Sequence, residues 1–167
     1  MSLGKKLVQS AQKEAALQRP FPLRAEAVEA LPNGGEIRAQ AQIADNDRLS
    51  KLASKVTVSV AGVKKSARGG DVQAKAEKFA AKATYFTEKL RFVETDVGGT
   101  AVVRSTPDTM AGRGAPYFEA KVKETEISVQ RFQAKARGGR ERVPFCVTDD
   151  ILARVVEDAA EVLAPKR

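Results

Sequence analysis

Arginines set beside paired glycines are the residues of this chain best suited to chemistry. Arg68-Gly69-Gly70 follows Lys64 and Lys65, and Arg137-Gly138-Gly139-Arg140 lies between Lys135 and Arg142. Glycines let such turns close, and the cations on them meet phosphate oxygens, so these loops suit the edge of a nucleic-acid backbone. Arg104, Arg113 and Arg131 add cations in the second half of the chain. Tyr117 sits opposite Phe118 in an alternating run, which turns its ring toward the wet side, where a base can stack. Phe118 belongs to the apolar side. Phe132 falls out of phase with Ile127 and Val129, which requires a bulge near Arg131 or contacts on both faces. The candidate nucleic-acid contacts are Lys64, Lys65, Arg68, Arg104, Arg113, Tyr117, Arg131, Lys135, Arg137, Arg140 and Arg142. Arg131 and Arg142 are expected to project from the wet face of the sheet.

Catalytic arrangements find little support. The chain has no histidine. That excludes Ser-His-Asp triads, Cys-His pairs and histidine-based metal sites. Cys146 is the single cysteine, so there is no intramolecular disulfide, and its place between Phe145 and Val147 reads as a small buried core thiol. Neither Glu94 with Asp96 nor Glu124 with Glu126 has a third carboxylate at metal-binding spacing. The basic loop at 64–70 lacks the glycine spacing and terminal Lys-Ser/Thr of a phosphate-binding loop. No catalytic residue, metal or cofactor is assigned.

The formal net charge is +8 and the isoelectric point about 9.7, a balance that attracts nucleic acid, acidic proteins or lipid headgroups. Tryptophan is absent and aromatics make up 5%, so the core must come mainly from Val, Leu, Ile and Ala. No run approaches the ~18 apolar residues of a membrane span. The apolar residues after Lys5 and Lys6 are interrupted by polar ones, unlike a signal peptide, and a cytoplasmic location is expected.

The elements that would position these residues follow from periodicity. Residues 1–22 read as a short helix or a basic arm, with Leu3, Leu7 and Ala11 on one side. Pro32-Asn33-Gly34-Gly35 joins two strands, and strict alternation from Ile37 to Ile43 marks the second. Asp45 or Asn46 is expected to cap a short helix over 47–54 that buries Leu49. Val56, Val58 and Val60 then form a strand, and Asp71 caps a helix through about Phe86. Strands are expected over 89–96, 100–106, 118–123, 127–132 and 143–147, separated by glycine or proline turns. Thr148 caps a last helix, whose stripe of Leu152, Val155, Val156 and Ala159 covers the apolar side of the strands.

These elements make an α+β fold with antiparallel sheet packed by two amphipathic helices. Residues 23–167 form one domain, or two half-units, 23–88 and 89–167, in a pseudo-twofold arrangement. The element order alone, with no motif, resembles Whirly-type single-strand-binding architectures. The leading functional expectation is a non-enzymatic nucleic-acid-binding protein using a basic sheet face and Arg-Gly-Gly loops, with single-stranded nucleic acid among the ligands such a face could take. The alternative is a small interaction or assembly protein that oligomerises with itself or docks an acidic partner.

Overall fold

The computed structural model describes residues 1–47, 49–64, 71–106 and 114–164. Helix α1 (Leu3–Ala16) begins at Ser2, whose side chain accepts from the Lys5 amide. Leu3, Leu7 and Ala11 recur at four-residue spacing and are buried, so the N-terminal segment is a docked helix. It packs on strands β1 (Leu23–Ala30) and β2 (Glu36–Asn46). Asn33-Gly34-Gly35 closes that hairpin, with Gly34 at φ +87° and the Leu31 amide 2.7 Å from the Gly35 carbonyl.

The expected helix over 47–54 is a turn and the start of strand β3 (Ser50–Ala61). Asp47 supplies the capping chemistry, but its carboxylate accepts from the Leu49 and Ser50 amides inside a tight turn. The Asp47 amide donates back to the Ser50 carbonyl at 3.0 Å, which closes the β2–β3 hairpin. Leu49 is consequently 82% exposed at its tip.

Helix α2 (Val72–Lys82) is capped by Asp71, as its sequence requires, and ends short of the expected Phe86. Ala83 and Phe86 stay buried on the non-helical chain beyond it. Strands β4 (Leu90–Thr95), β5 (Ala101–Ser105), β6 (Tyr117–Val122) and β7 (Glu126–Ala134) follow as an antiparallel meander. The register from Tyr117 opposite Phe132 to Val122 opposite Ile127 is unbroken. Phe132 is therefore out of phase because β7 buries side chains on both faces, the second of the two expected explanations, and no bulge interrupts its pairing with β6. Strand β8 (Arg140–Arg142) returns along β7, β9 (Phe145–Thr148) pairs with β3, and helix α3 (Asp149–Leu163) closes the order. Thr148 caps α3 through the Ile151 amide.

The nine strands among the described residues make one sheet, seven of them in the order β1-β2-β3-β7-β6-β5-β4, with β8 paired to β7 and β9 to β3 off that path. Strands β3 and β7 pair only where Val56–Ser59 faces Glu126–Val129. Beyond that point β8 takes the edge of β7 and β9 takes the edge of β3, so the stretch from Arg140 to Thr148 fills the wedge between them. Three helices among the described residues share a face: α1 over β1 and β2, α3 over β3 and β9, α2 over β4 and β5. A single apolar cluster runs beneath them, with Leu7, Val58, Phe79, Phe118, Phe145 and Leu152 among its members. The opposite face carries no helix among the described residues.

Candidate functional site

Residues opposite one another in an antiparallel register share a face. In β6, Phe118, Ala120 and Val122 point under the helices and are buried. Tyr117, Glu119 and Lys121 therefore occupy the helix-free face. Arg104 of β5 stands opposite Glu119, Phe132 of β7 opposite Tyr117, and Arg142 of β8 opposite Phe132.

Glu119 is the centre of this group. Its side chain is 1% exposed although no helix covers it. Arg104 Nε donates to Oε2 at 2.7 Å. Arg140 donates from Nη1 to Oε2 at 2.7 Å and from Nη2 to Oε1 at 3.2 Å. The same Nη1 lies 3.1 Å from the Tyr117 hydroxyl oxygen. The Arg140 guanidinium lies 3.9 Å from the Phe132 ring centre, and that of Arg104 lies 5.8 Å from the Tyr117 ring centre. Two rings thus form the floor and sides, and the arginines close over a buried carboxylate.

Burial by itself would raise the Glu119 carboxyl, but the hydrogen bonds from Arg140 and Arg104 and the charge of both outweigh it and hold it below its ordinary value. The bond to Glu119 raises Arg140 in turn. An ionised carboxylate locked in this way is a poor proton carrier near neutral pH. The Arg104 and Arg140 side chains remain 39% and 34% exposed, so parts of both face solvent beyond the carboxylate.

The structure thus brings Arg104, Tyr117, Arg140 and Arg142 together. Lys135 and Arg137 join them on the exposed β7–β8 turn, where Gly138 and Gly139 adopt φ +89° and +75°. Lys64 does not belong: it follows the Ala61 end of β3, which pairs toward Glu126, while Tyr117 and Phe132 lie at the other end of β7. Arg131 is a correction. It faces the helices in phase with Ile127 and Val129, with its guanidinium 4.9 Å from the Phe118 ring centre. Lys65, Arg68 and Arg113 lie outside the described residues.

Two further residues depart from expectation. Glu119 alternates with Lys121 and so reads as solvated charge; only the register that sets it opposite Arg104 shows its burial. Cys146 is exposed, not a core thiol. Phe145 and Val147 fill the core side of this short strand, and strand alternation sends the residue between them outward. Among the described residues, no group of three or more Asp, Glu or Cys side chains is placed to hold a metal ion. No helix among them is long and apolar enough to cross a membrane. No family model, no curated protein and no solved structure matches this chain.

Proposed function

We propose that this chain is a non-enzymatic nucleic-acid-binding protein that meets its ligand on the helix-free face beside the β7–β8 hairpin. The reading rests on one observation: Arg104, Arg140, Arg142 and Tyr117 gather on a sheet face that carries no helix among the described residues, next to an exposed basic turn. Glu119 holds two of the guanidinium groups in place before any ligand arrives, which lowers the entropy lost when they engage phosphate. Lys135 and Arg137 add charge at the rim, and Tyr117 offers a ring edge to a base.

Labelled single-stranded and duplex oligonucleotides, titrated at low and at physiological salt, test the proposal. Binding that persists at physiological salt and prefers one form supports it. Binding that disappears there shows only the attraction of a +8 chain for any polyanion.

A further inference from the structure

The helix-free face carries a second basic feature, distant from Tyr117 along the sheet. A notch of about 180 Å³ is lined by Arg24, Gln40, Gln42, Lys55, Thr57 and Glu126. Arg24 stands opposite Gln42, and Gln42 opposite Lys55. The paired register of β3 and β7 ends at Val56 and Val129, and Lys55 and Gln130 are the residues that follow on the two strands where they begin to part. Gln130 stands opposite Glu119, Glu119 opposite Arg104, and Arg104 opposite Arg91. Polar side chains on the helix-free face thus form a row in two registered halves, Arg24-Gln42-Lys55 and Gln130-Glu119-Arg104-Arg91, which meet where β3 and β7 part.

That row holds four cations, Arg24, Lys55, Arg104 and Arg91, against one carboxylate, Glu119. Glu119 is already held by Arg104 and Arg140. Arg24 has only a loose approach to Glu26, at 3.8 Å. Glu26 is itself engaged by Arg38 and Gln40. Lys55 and Arg91 have no ion-pair partner among the described residues. Glu126, in the notch wall, is the one acid lining it. In the middle of the row the Gln130 side-chain nitrogen is buried with no hydrogen-bond partner, in a residue only 6% exposed. Seven strands at a spacing of ~4.8 Å make the row roughly 29 Å long.

We infer that this row is the track of a single-stranded nucleic acid, which crosses the strands of the sheet at a steep angle. Arg24 and Lys55 in the notch hold backbone phosphates at one end. Arg104 and Arg91 hold them at the other, and the Gln130 amide donates to the strand between. The inference rests on the proposed function and extends it to residues outside the Tyr117 cluster.

The test compares oligothymidylates of about four and about twelve nucleotides, both within the ~4–16 nucleotides of known single-strand sites. The double variant Arg24→Gln, Lys55→Gln is measured beside Arg38→Gln, whose guanidinium lies in another row and is held by Glu26 and Glu36. Far-UV circular dichroism checks that each is folded. The expected result is an affinity for the long oligomer lowered about tenfold in the double variant, with the short one unaffected and Arg38→Gln near wild type. A double variant that binds both lengths like wild type overturns the track and leaves the Tyr117 site standing, whereas one that loses both equally overturns the track and moves the binding to the notch. Wild-type protein that binds neither oligomer overturns the track, and if it also fails to bind a duplex at physiological salt the site falls with it.

Discussion

Arg140 reaches from β8 across β7 to Glu119 on β6 and grips its carboxylate through both terminal nitrogens, at 2.7 and 3.2 Å. Its guanidinium passes over the Phe132 ring on the way. One side chain thereby ties the basic hairpin to the sheet. The pairing explains how a carboxylate can be buried on a face without helices, since each oxygen has a charged donor.

Glu119→Gln keeps the shape of the side chain and removes its charge, leaving Arg104 and Arg140 facing each other across a neutral amide. A fully buried ion pair broken in this way costs about 3–5 kcal/mol, but both arginines are partly solvated. The expected loss is about 2 kcal/mol, read from the urea midpoint at constant slope. A double-mutant cycle with Arg140→Gln should return a coupling of about 1 kcal/mol or more.

The same residue sets an acid dependence. The Glu119 carboxyl is depressed in the folded protein, so its ionised form stabilises the fold. That contribution is complete above the unfolded value of about 4.3 and disappears as pH falls through the lower folded value. The stability gap between wild type and Glu119→Gln should therefore be constant near neutrality and shrink once pH drops below about 4. Urea midpoints for both proteins across this range check it. A gap that widens on acidification would contradict the ion-pair assignment.

Lys51 and Asp149 form an unequal pair. The lysine side chain is 6% exposed and the aspartate 40%, and the carboxylate also accepts from Gln12 at 2.9 Å. Asp149→Asn leaves a buried ammonium without its counter-charge, with an expected cost of about 3 kcal/mol. Lys51→Met leaves a half-exposed carboxylate that keeps Gln12 and the start of α3, and should cost about 1 kcal/mol or less. Equal losses in the two variants would show that the buried end of the pair does not set the cost.

Gly4 marks the closest approach of α1 to α3. A Cβ there would lie 2.8 Å from the Ala153 Cα and collide with its carbonyl as well. Backbone cannot rotate away as a flexible side chain can, so Gly4→Ala must push the helices apart. The expected loss is about 2 kcal/mol, despite the better helix propensity of alanine. A thermal midpoint lowered by about 4–8 °C would agree with this.

Where the sequence was legible, local chemistry and tertiary packing pointed the same way. Helix α3 has Thr148 as a cap, two aspartates in its first turn and one unbroken apolar stripe, and it buries that stripe. The β1–β2 hairpin pairs Asn-Gly chemistry with strict alternation. Misreadings came where one local signal serves two structures. Asp47 caps amides in a turn as readily as in a helix. Arg131 alternates correctly with its neighbours, but its charge argued for the wrong face, because the long side chain can lie over Phe118 while facing the helices. The candidate site was half visible. Arg104, Tyr117 and Arg140 stand out by residue type, but Glu119 joins them only through the register between β5, β6 and the later β8.

That register also separates the arginines by role. Arg104 and Arg140 are neutralised in part by Glu119, whereas Arg142, Lys135 and Arg137 have no ion-pair partner among the described residues. Each phosphate met by an unneutralised cation on a single strand adds about 0.7 to the slope of log affinity against log salt. Arg142→Gln should therefore lower that slope by roughly 0.7 and weaken binding at every sequence alike. Arg104→Gln removes a charge but also releases part of Glu119, so it should cost stability as well as affinity, and its affinity loss should be partly restored in the background of Glu119→Gln. Salt titrations of the two single variants and the double variant decide the matter. An Arg142→Gln slope identical to wild type would show that the hairpin does not touch the backbone.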